Sequence, residues 1–221
     1  MPLAPVWKLK HKEIVWLARH RCRHYHTYLE HYQCYLKENP LKEKIGFFDI
    51  ETSNLQADFG IIYCYCLKEY GKNKIYERLI TKQELNSCLD KKVVEQCIKD
   101  LSRFDRIVGF YSSRFDNGFV RTRAVALNIP FPEYGELIHN DIYYIVRNKF
   151  RIHRNRLEDA CRVLVGKTRK THLDAHHWIK GLQGNKESLT YILEHCRGDV
   201  RDLEDLYNKI INYSKKQDKS I

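Results

Sequence analysis

The run Ile45-Gly46-Phe47-Phe48-Asp49-Ile50-Glu51 leads an apolar, β-branched and aromatic segment into two acids set two residues apart. Its composition predicts a central, buried strand. Side chains two apart on a strand point to the same face, so Asp49 and Glu51 are expected to project together, roughly 7 Å apart along the chain. At the end of so apolar a strand, two unpaired like charges carry a large desolvation cost unless cations lie between them. An exposed strand with alternating acids is the competing reading of the same pair.

Outward from this run, further strands are expected at 61–70, 74–80 and 106–111. A helix is expected over about 90–104, where Val93, Val94, Cys97, Ile98 and Leu101 recur at helical spacing. Helical patterns follow near 118–127, 141–147 and 156–165, the first of them broken by Asn128-Ile129-Pro130. A last long helix begins after Gly184-Asn185, with Leu189, Ile192, Leu193, Cys196, Val200, Leu203, Leu206 and Ile210 on its apolar side. Strands first, then strands alternating with helices, predict an α/β fold: a mixed β-sheet flanked by helices.

Two more acids stand where such a sheet would collect them. Gly109-Phe110-Tyr111-Ser112-Ser113-Arg114-Phe115-Asp116 runs from an expected strand through small residues to an acid, and sites of α/β folds gather at sheet ends. Asp116 is equally placed to cap the helix that follows. In His195-Cys196-Arg197-Gly198-Asp199 the four-residue separation puts His195 and Asp199 on one helix face. That pairing suits an imidazole beside a ligating carboxylate, or else a helix-surface pair of little consequence. Gly198, a poor residue inside a helix, suggests that another part of the chain approaches that turn closely.

Taken together, Asp-x-Glu on a strand, Phe-Asp after a later strand and His-x3-Asp on the last helix resemble the DEDD exonuclease superfamily, over roughly 44–213. The chain looks most similar to the branch holding family B polymerase proofreading domains and stand-alone ribonuclease H-like exonucleases. The resemblance implies an RNase H-like fold and two Mg²⁺ or Mn²⁺ ions. Asp49 would bridge both, Glu51 and Asp199 would complete one, and Asp116 would hold the other, mostly through water. It further implies 3′-to-5′ cleavage of phosphodiester bonds, leaving a 5′-phosphate and a 3′-hydroxyl. His195 is the expected general base, although the family carries tyrosine at this four-residue spacing and histidine at five. Tyr111 stands where polymerase-type relatives usually carry asparagine, a departure from the family's substrate contact at that position; Tyr111 and Arg114 are candidate nucleic-acid-binding residues.

Composition agrees with an anionic partner. Lys and Arg number 39 against 28 Asp and Glu, a formal charge of +11 over 221 residues, which suits nucleic acid. Basic residues interleave with aromatics in Trp7-Lys8-Leu9-Lys10-His11-Lys12, in 147–156 with Arg147, Lys149 and Arg151, and around Lys167 to Lys170. A groove that tracks a single strand of DNA or RNA needs this combination, and a lysine-rich solvated surface is its plainer explanation. At 43% hydrophobic and 30% charged residues the chain is neither disordered nor a membrane protein. Charges interrupt every apolar run near the N-terminus, so a cytoplasmic location is expected. In that reducing compartment the eight cysteines are better explained by metal ligation or burial than by disulfides.

Residues 1–40 have a different character, with five of the eleven histidines, two cysteines and two of the three tryptophans. They are expected to form a small basic module joined at Asn39-Pro40 to a catalytic domain over 41–221. Cys22, His24 or His26, His31 and Cys34 are candidates for a structural Zn²⁺ site; a solvated, nucleic-acid-facing helix is the alternative. Asp174, His176 and His177 are expected on a surface loop, Cys64 and Cys66 as small buried strand residues, and Asp141 as a structural acid outside the ligand set. Two rivals to an exonuclease remain open: a structure-selective endonuclease on the same fold, and a zinc-bearing nucleic-acid-binding adapter with vestigial carboxylates.

Overall fold

The computed structural model describes residues 11–38, 43–133, 135–171, 174–213 and 219–220. Trp7 to Lys10, the Asn39-Pro40 junction and the terminal Lys215-Lys216 pair lie outside the described residues. The chain divides into two compact units, Met1–Glu43 and Lys44–Ile221.

In the smaller unit, helix α1 (His11–Arg19) is followed by a tight hairpin and helix α2 (Tyr32–Glu38). The hairpin is closed by an antiparallel bridge between Arg21 and Thr27, with Tyr25 in the left-handed region at φ 63°. Thr27 and Glu30 form a reciprocal pair. The Thr27 hydroxyl accepts from the Glu30 N–H at 3.2 Å, and the Glu30 carboxylate accepts from the Thr27 N–H at 3.0 Å.

The larger unit is built on a mixed sheet. Its strands are β1 (Ile45–Thr52), β2 (Ile62–Glu69), β3 (Ile75–Leu79), β4 (Arg106–Gly109) and β5 (Ile138–Asp141), with a two-residue edge strand β6 (Lys219–Ser220). The order is β3-β2-β1-β4-β5-β6. β1 pairs antiparallel with β2 and parallel with β4, so the strand carrying Asp49 and Glu51 is central. The register sets Asp49 opposite Cys66 and Glu51 opposite Cys64, and slips between Glu51 and Thr52. That irregularity falls at the end of the strand, where bulges commonly adjoin functional groups.

Helices α3 (Lys82–Leu85), α4 (Lys91–Leu101), α5 (Asp116–Ala126), α6 (Ile142–Lys149), α7 (Leu157–Ala160), α8 (Ala175–Leu182) and α9 (Lys186–Ile210) complete the unit. α7 continues into a π-helical turn over Cys161–Val165. α4 packs against β2 and β3, and α9 against β1 and β2. β2, flanked in this way, is buried along its whole length. Every apolar residue assigned to the inner side of the last helix is buried, each fully buried Leu or Ile contributing about 1.5–3 kcal/mol. Asn185 starts α9 by accepting the Ser188 N–H at 2.9 Å. The α/β architecture expected from the sequence is therefore the one observed.

Three local features were not read from the sequence. β5 was not anticipated because His139-Asn140-Asp141 carries no strand-like hydrophobicity; His139 and Asn140 are nevertheless buried. Asp174, His176 and His177 do not lie on a loop but open α8: the Asp174 carboxylate accepts the His176 N–H at 2.9 Å, and the His177 ring stacks on Tyr191 at 4.0 Å. Asp90 starts the α4 segment without capping it. Its buried carboxylate instead accepts from Ile62 N–H at 3.0 Å and pairs with Arg123 at 2.7 Å, tying β2 to α5. No helix among the described residues is long and apolar enough to cross a membrane.

Candidate active site

Four carboxylates converge from three elements. Asp49 and Glu51 come from the end of β1, Asp116 from the first turn of α5 and Asp199 from the middle of α9. Asp116 is not a free helix cap, because its Oδ1 accepts the Ile50 N–H at 3.2 Å, which ties α5 to β1. Ligand atoms of Glu51, His195 and Asp199 all lie within 4.8 Å of one another.

The charges are hard to accommodate. Burial, reinforced by Asp199, Asp116 and Glu51, pushes the Asp49 carboxyl well above the ordinary range, and burial with Asp199 does the same to Glu51. Asp116 is raised to about 7, chiefly by burial. Burial also raises Asp199, against the opposing pull of Lys170 and His195. Asp49 Oδ2 and Asp199 Oδ1 are enclosed and accept no hydrogen bond. Two carboxylate oxygens without a hydrogen-bond partner among four clustered acids offer hard oxygen ligands of the kind that suits a divalent cation such as Mg²⁺ or Mn²⁺. The residues present fit such ions.

Two side chains from the segment between the π-helical turn and α8 enter the cluster. Lys170 Nζ donates to Asp199 Oδ2 at 3.3 Å. Burial works against its charge, but Asp199, Asp49 and Glu51 hold its pKa above the ordinary lysine value. Thr171 Oγ1 lies 2.7 Å from His195 Nδ1, leaving Nε2 directed toward Glu51, 4.0 Å away. His195 is 2% exposed, packs edge-on against Trp178, and is held below its usual pKa, mainly by burial.

The approach of this segment explains Gly198. A Cβ there would meet the Arg169 carbonyl oxygen at 3.2 Å. Arg169 is itself tied to α9, its N–H donating to Asp202 at 2.8 Å and its guanidinium to Asp202 and Asp205 at 2.9 and 2.7 Å. Lys170 and Thr171 escaped sequence reasoning except as part of a basic run, since Lys170 lies 29 residues from its partner and no periodicity links the two.

Asp141 organises the rim. Its carboxylate accepts from Tyr111 N–H at 2.8 Å and Ser113 N–H at 3.0 Å, besides capping α6 through Tyr143 N–H at 3.1 Å. This holds Tyr111, exposed and at φ 63°, against Tyr143 at 4.8 Å between ring centroids. Arg114 is exposed, with Nε 3.5 Å from the Tyr144 hydroxyl. Tyr143 and Tyr144 are rim aromatics that the sequence reading did not single out. Arg147, Lys149 and Arg151 stand exposed at the end of α6 and just beyond it. A groove lies between the loop after β1 and the start of α5, lined by Leu55, Gln56, Ala57, Arg114, Phe115 and Phe119.

In the smaller unit, Cys22, His24, His31 and Cys34 each offer one ligand atom, all within 4.8 Å of one another. His26 lies outside this group, its ring set edge-on to His31 at 4.9 Å.

The sequence model of the RNase H superfamily matches residues 46–211. Among solved structures, the family B DNA polymerase from the hyperthermophilic archaeon Pyrobaculum calidifontis is similar with a TM-score of 0.65 at 18% identity. The match covers 77% of this chain but 25% of the polymerase chain, so it speaks to the fold of one part of that enzyme. No curated protein matches the sequence.

Proposed function

We propose, from the premise that the chain belongs to the RNase H superfamily, that it is a metal-dependent nuclease hydrolysing phosphodiester bonds of single-stranded nucleic acid from the 3′ end. The observation that carries this reading is the cluster of four acids with two enclosed, unpartnered oxygens. Asp49, Glu51, Asp116 and Asp199 would hold two Mg²⁺ or Mn²⁺ ions. Such a pair, when bound, supplies the charge that stabilises the attacking and leaving oxygens of an in-line displacement and sharpens a bound water.

The protein's own groups do the rest. Thr171 fixes the His195 ring so that Nε2 faces the carboxylates, and a neutral imidazole there can accept the proton of an attacking water. Lys170 offsets part of the fourfold negative charge. Ile50 N–H and the α5 backbone hold Asp116 in place. On the rim, exposed Tyr111 and Arg114 suit the stacking of unpaired bases and the phosphate contacts of a single strand, and Arg147, Lys149 and Arg151 extend the positive surface. The single-strand preference rests on this surface, and the 3′-to-5′ polarity on the resemblance to DEDD exonucleases.

The test is a time course on 5′-labelled and internally labelled single-stranded DNA and RNA, in Mn²⁺, Mg²⁺ or EDTA, with wild type and Asp49→Ala. The expected result is a ladder shortening from the 3′ end that needs metal and is lost in a folded Asp49→Ala. Discrete internal cuts would turn the proposal into an endonuclease, and tight binding with no cleavage in any metal would overturn it.

A further inference from the structure

The smaller unit presents a second cluster of entirely different chemistry. Among its described residues, those that are both hydrophobic and buried are Leu17, Cys22 and Cys34, so two of the three are thiols. Small units of about this size often close on a disulfide, a metal or a partner. The two buried thiols sit beside two imidazoles, a donor set on which a metal can close the unit.

The geometry is that of a coordination polyhedron. Sγ of Cys22 lies 3.8 Å from His24 Nδ1 and 3.6 Å from His31 Nδ1. Sγ of Cys34 lies 3.2 Å and 3.5 Å from the same two nitrogens. A tetrahedral Zn²⁺ with bonds of about 2.3 Å to sulfur and about 2.05 Å to nitrogen requires sulfur–nitrogen edges of about 3.6 Å. The four observed edges bracket that value. Both histidines turn the same atom, Nδ1, into the cluster. A disulfide between the two cysteines would leave both imidazoles without a role.

Local structure holds the four groups in place. The hairpin bearing Cys22 and His24 is closed by Cys22 N–H to His26 C=O at 2.9 Å and by Tyr25 N–H to Cys22 C=O at 2.9 Å. The reciprocal Thr27–Glu30 pair then fixes the entry to α2, where His31 N–H donates to Thr27 C=O at 2.9 Å and Cys34 N–H to His31 C=O at 2.9 Å. His26, between the ligating residues in sequence, packs against His31 instead.

We propose that Cys22, His24, His31 and Cys34 bind one Zn²⁺ in a closed, structural site that folds this unit. Four protein ligands complete the tetrahedron and leave no position for water or substrate, which separates it in kind from the carboxylate cluster. Zinc binding here is folding free energy, so removal of the metal unfolds the unit.

The experiment uses the full chain purified without chelator. Elemental analysis after dialysis is expected to find one zinc per chain, and the Co²⁺-substituted protein is expected to show intense tetrahedral d–d absorption with thiolate-to-cobalt charge transfer. Cys34→Ser and His24→Ala should lose the metal or bind it at least tenfold more weakly, while His26→Ala and Asp49→Asn keep one equivalent. Should a cysteine variant fail to fold, the charge-transfer bands of the wild type still report two thiolates. The proposal is overturned if no thiolate band forms, if the zinc disappears with Asp49→Asn but survives Cys34→Ser, or if the isolated chain carries a Cys22–Cys34 disulfide.

Discussion

Lys170 places its ammonium 3.3 Å from Oδ2 of Asp199, so that one cation from the loop before α8 stands among four acids gathered from β1, α5 and α9. It is partly shielded from water, with a side chain 26% exposed, and its charge substitutes in part for what the acids require. Lys170→Met is therefore expected to destabilise the metal-free chain, by about 1–3 kcal/mol for loss of a partner to a buried group. It is expected at the same time to tighten Mn²⁺ binding, since a competing cation is gone. Calorimetric Mn²⁺ titration and thermal unfolding in EDTA measure the two; an unchanged melting temperature together with weaker Mn²⁺ binding would mean that Lys170 does not compete for this charge.

The acids give the metal-free protein a distinct pH dependence. Asp116 is raised to about 7 in the fold, against about 3.9 in an unfolded chain. The folded state therefore binds this proton more tightly, and the stability it contributes is complete below about 4 and lost as pH rises toward and through about 7. The raised values of Asp49, Glu51 and Asp199 act in the same direction. Bound divalent ions oppose the effect by favouring the ionised carboxylates. The melting temperature in EDTA is expected to fall from pH 5 to pH 8, and the gain on adding Mg²⁺ or Mn²⁺ to be larger at pH 8. A gain independent of pH would separate the metal ions from this cluster.

His195 is held below its usual pKa by burial, so its neutral, proton-accepting form should persist below pH ~6.5, the ordinary value for histidine. His195→Ala is expected to slow cleavage by about 10²–10⁴-fold, the usual contribution of a general base, with metal binding retained. Thr171→Val should produce a smaller loss, because it frees the ring without removing it. Single-turnover rates against pH decide the matter: an acid limb shared by wild type and His195→Ala would assign the proton to another group.

Gly198 is set against the backbone of Arg169, with 3.2 Å between its missing Cβ and that carbonyl oxygen. Alanine favours a helix interior over glycine by about 1 kcal/mol, yet the methyl must push back the segment that carries Lys170 and Thr171. Gly198→Ala is expected to change the melting temperature little while lowering the cleavage rate about tenfold or more, since small misplacements near reacting groups are costly. Equal stability with undiminished activity would show that the segment yields without moving Lys170.

The sequence by itself determined the α/β class and the longer elements, and singled out the four acids as candidates. β1 was legible from its apolar run, and α9 from eight apolar residues at helical spacing, because a buried face imposes its period on the chain. Asp49, Glu51 and Asp116 stood out because each lies at the end of, or just after, a strand that a buried sheet would hold, and Asp199 because it shares a helix face with His195. Tertiary structure decided what crosses between elements. Asp116 is bonded to Ile50 on β1, and Lys170 and Thr171 reach α9 from a loop. Asp141 holds the Tyr111 turn 30 residues away, and His24, with His26 turned aside, completes the cysteine–histidine cluster. Periodicity records which face of an element is buried; it carries no record of which distant loop fills the space above that face, since that is set by packing and hydrogen bonding after the elements have assembled.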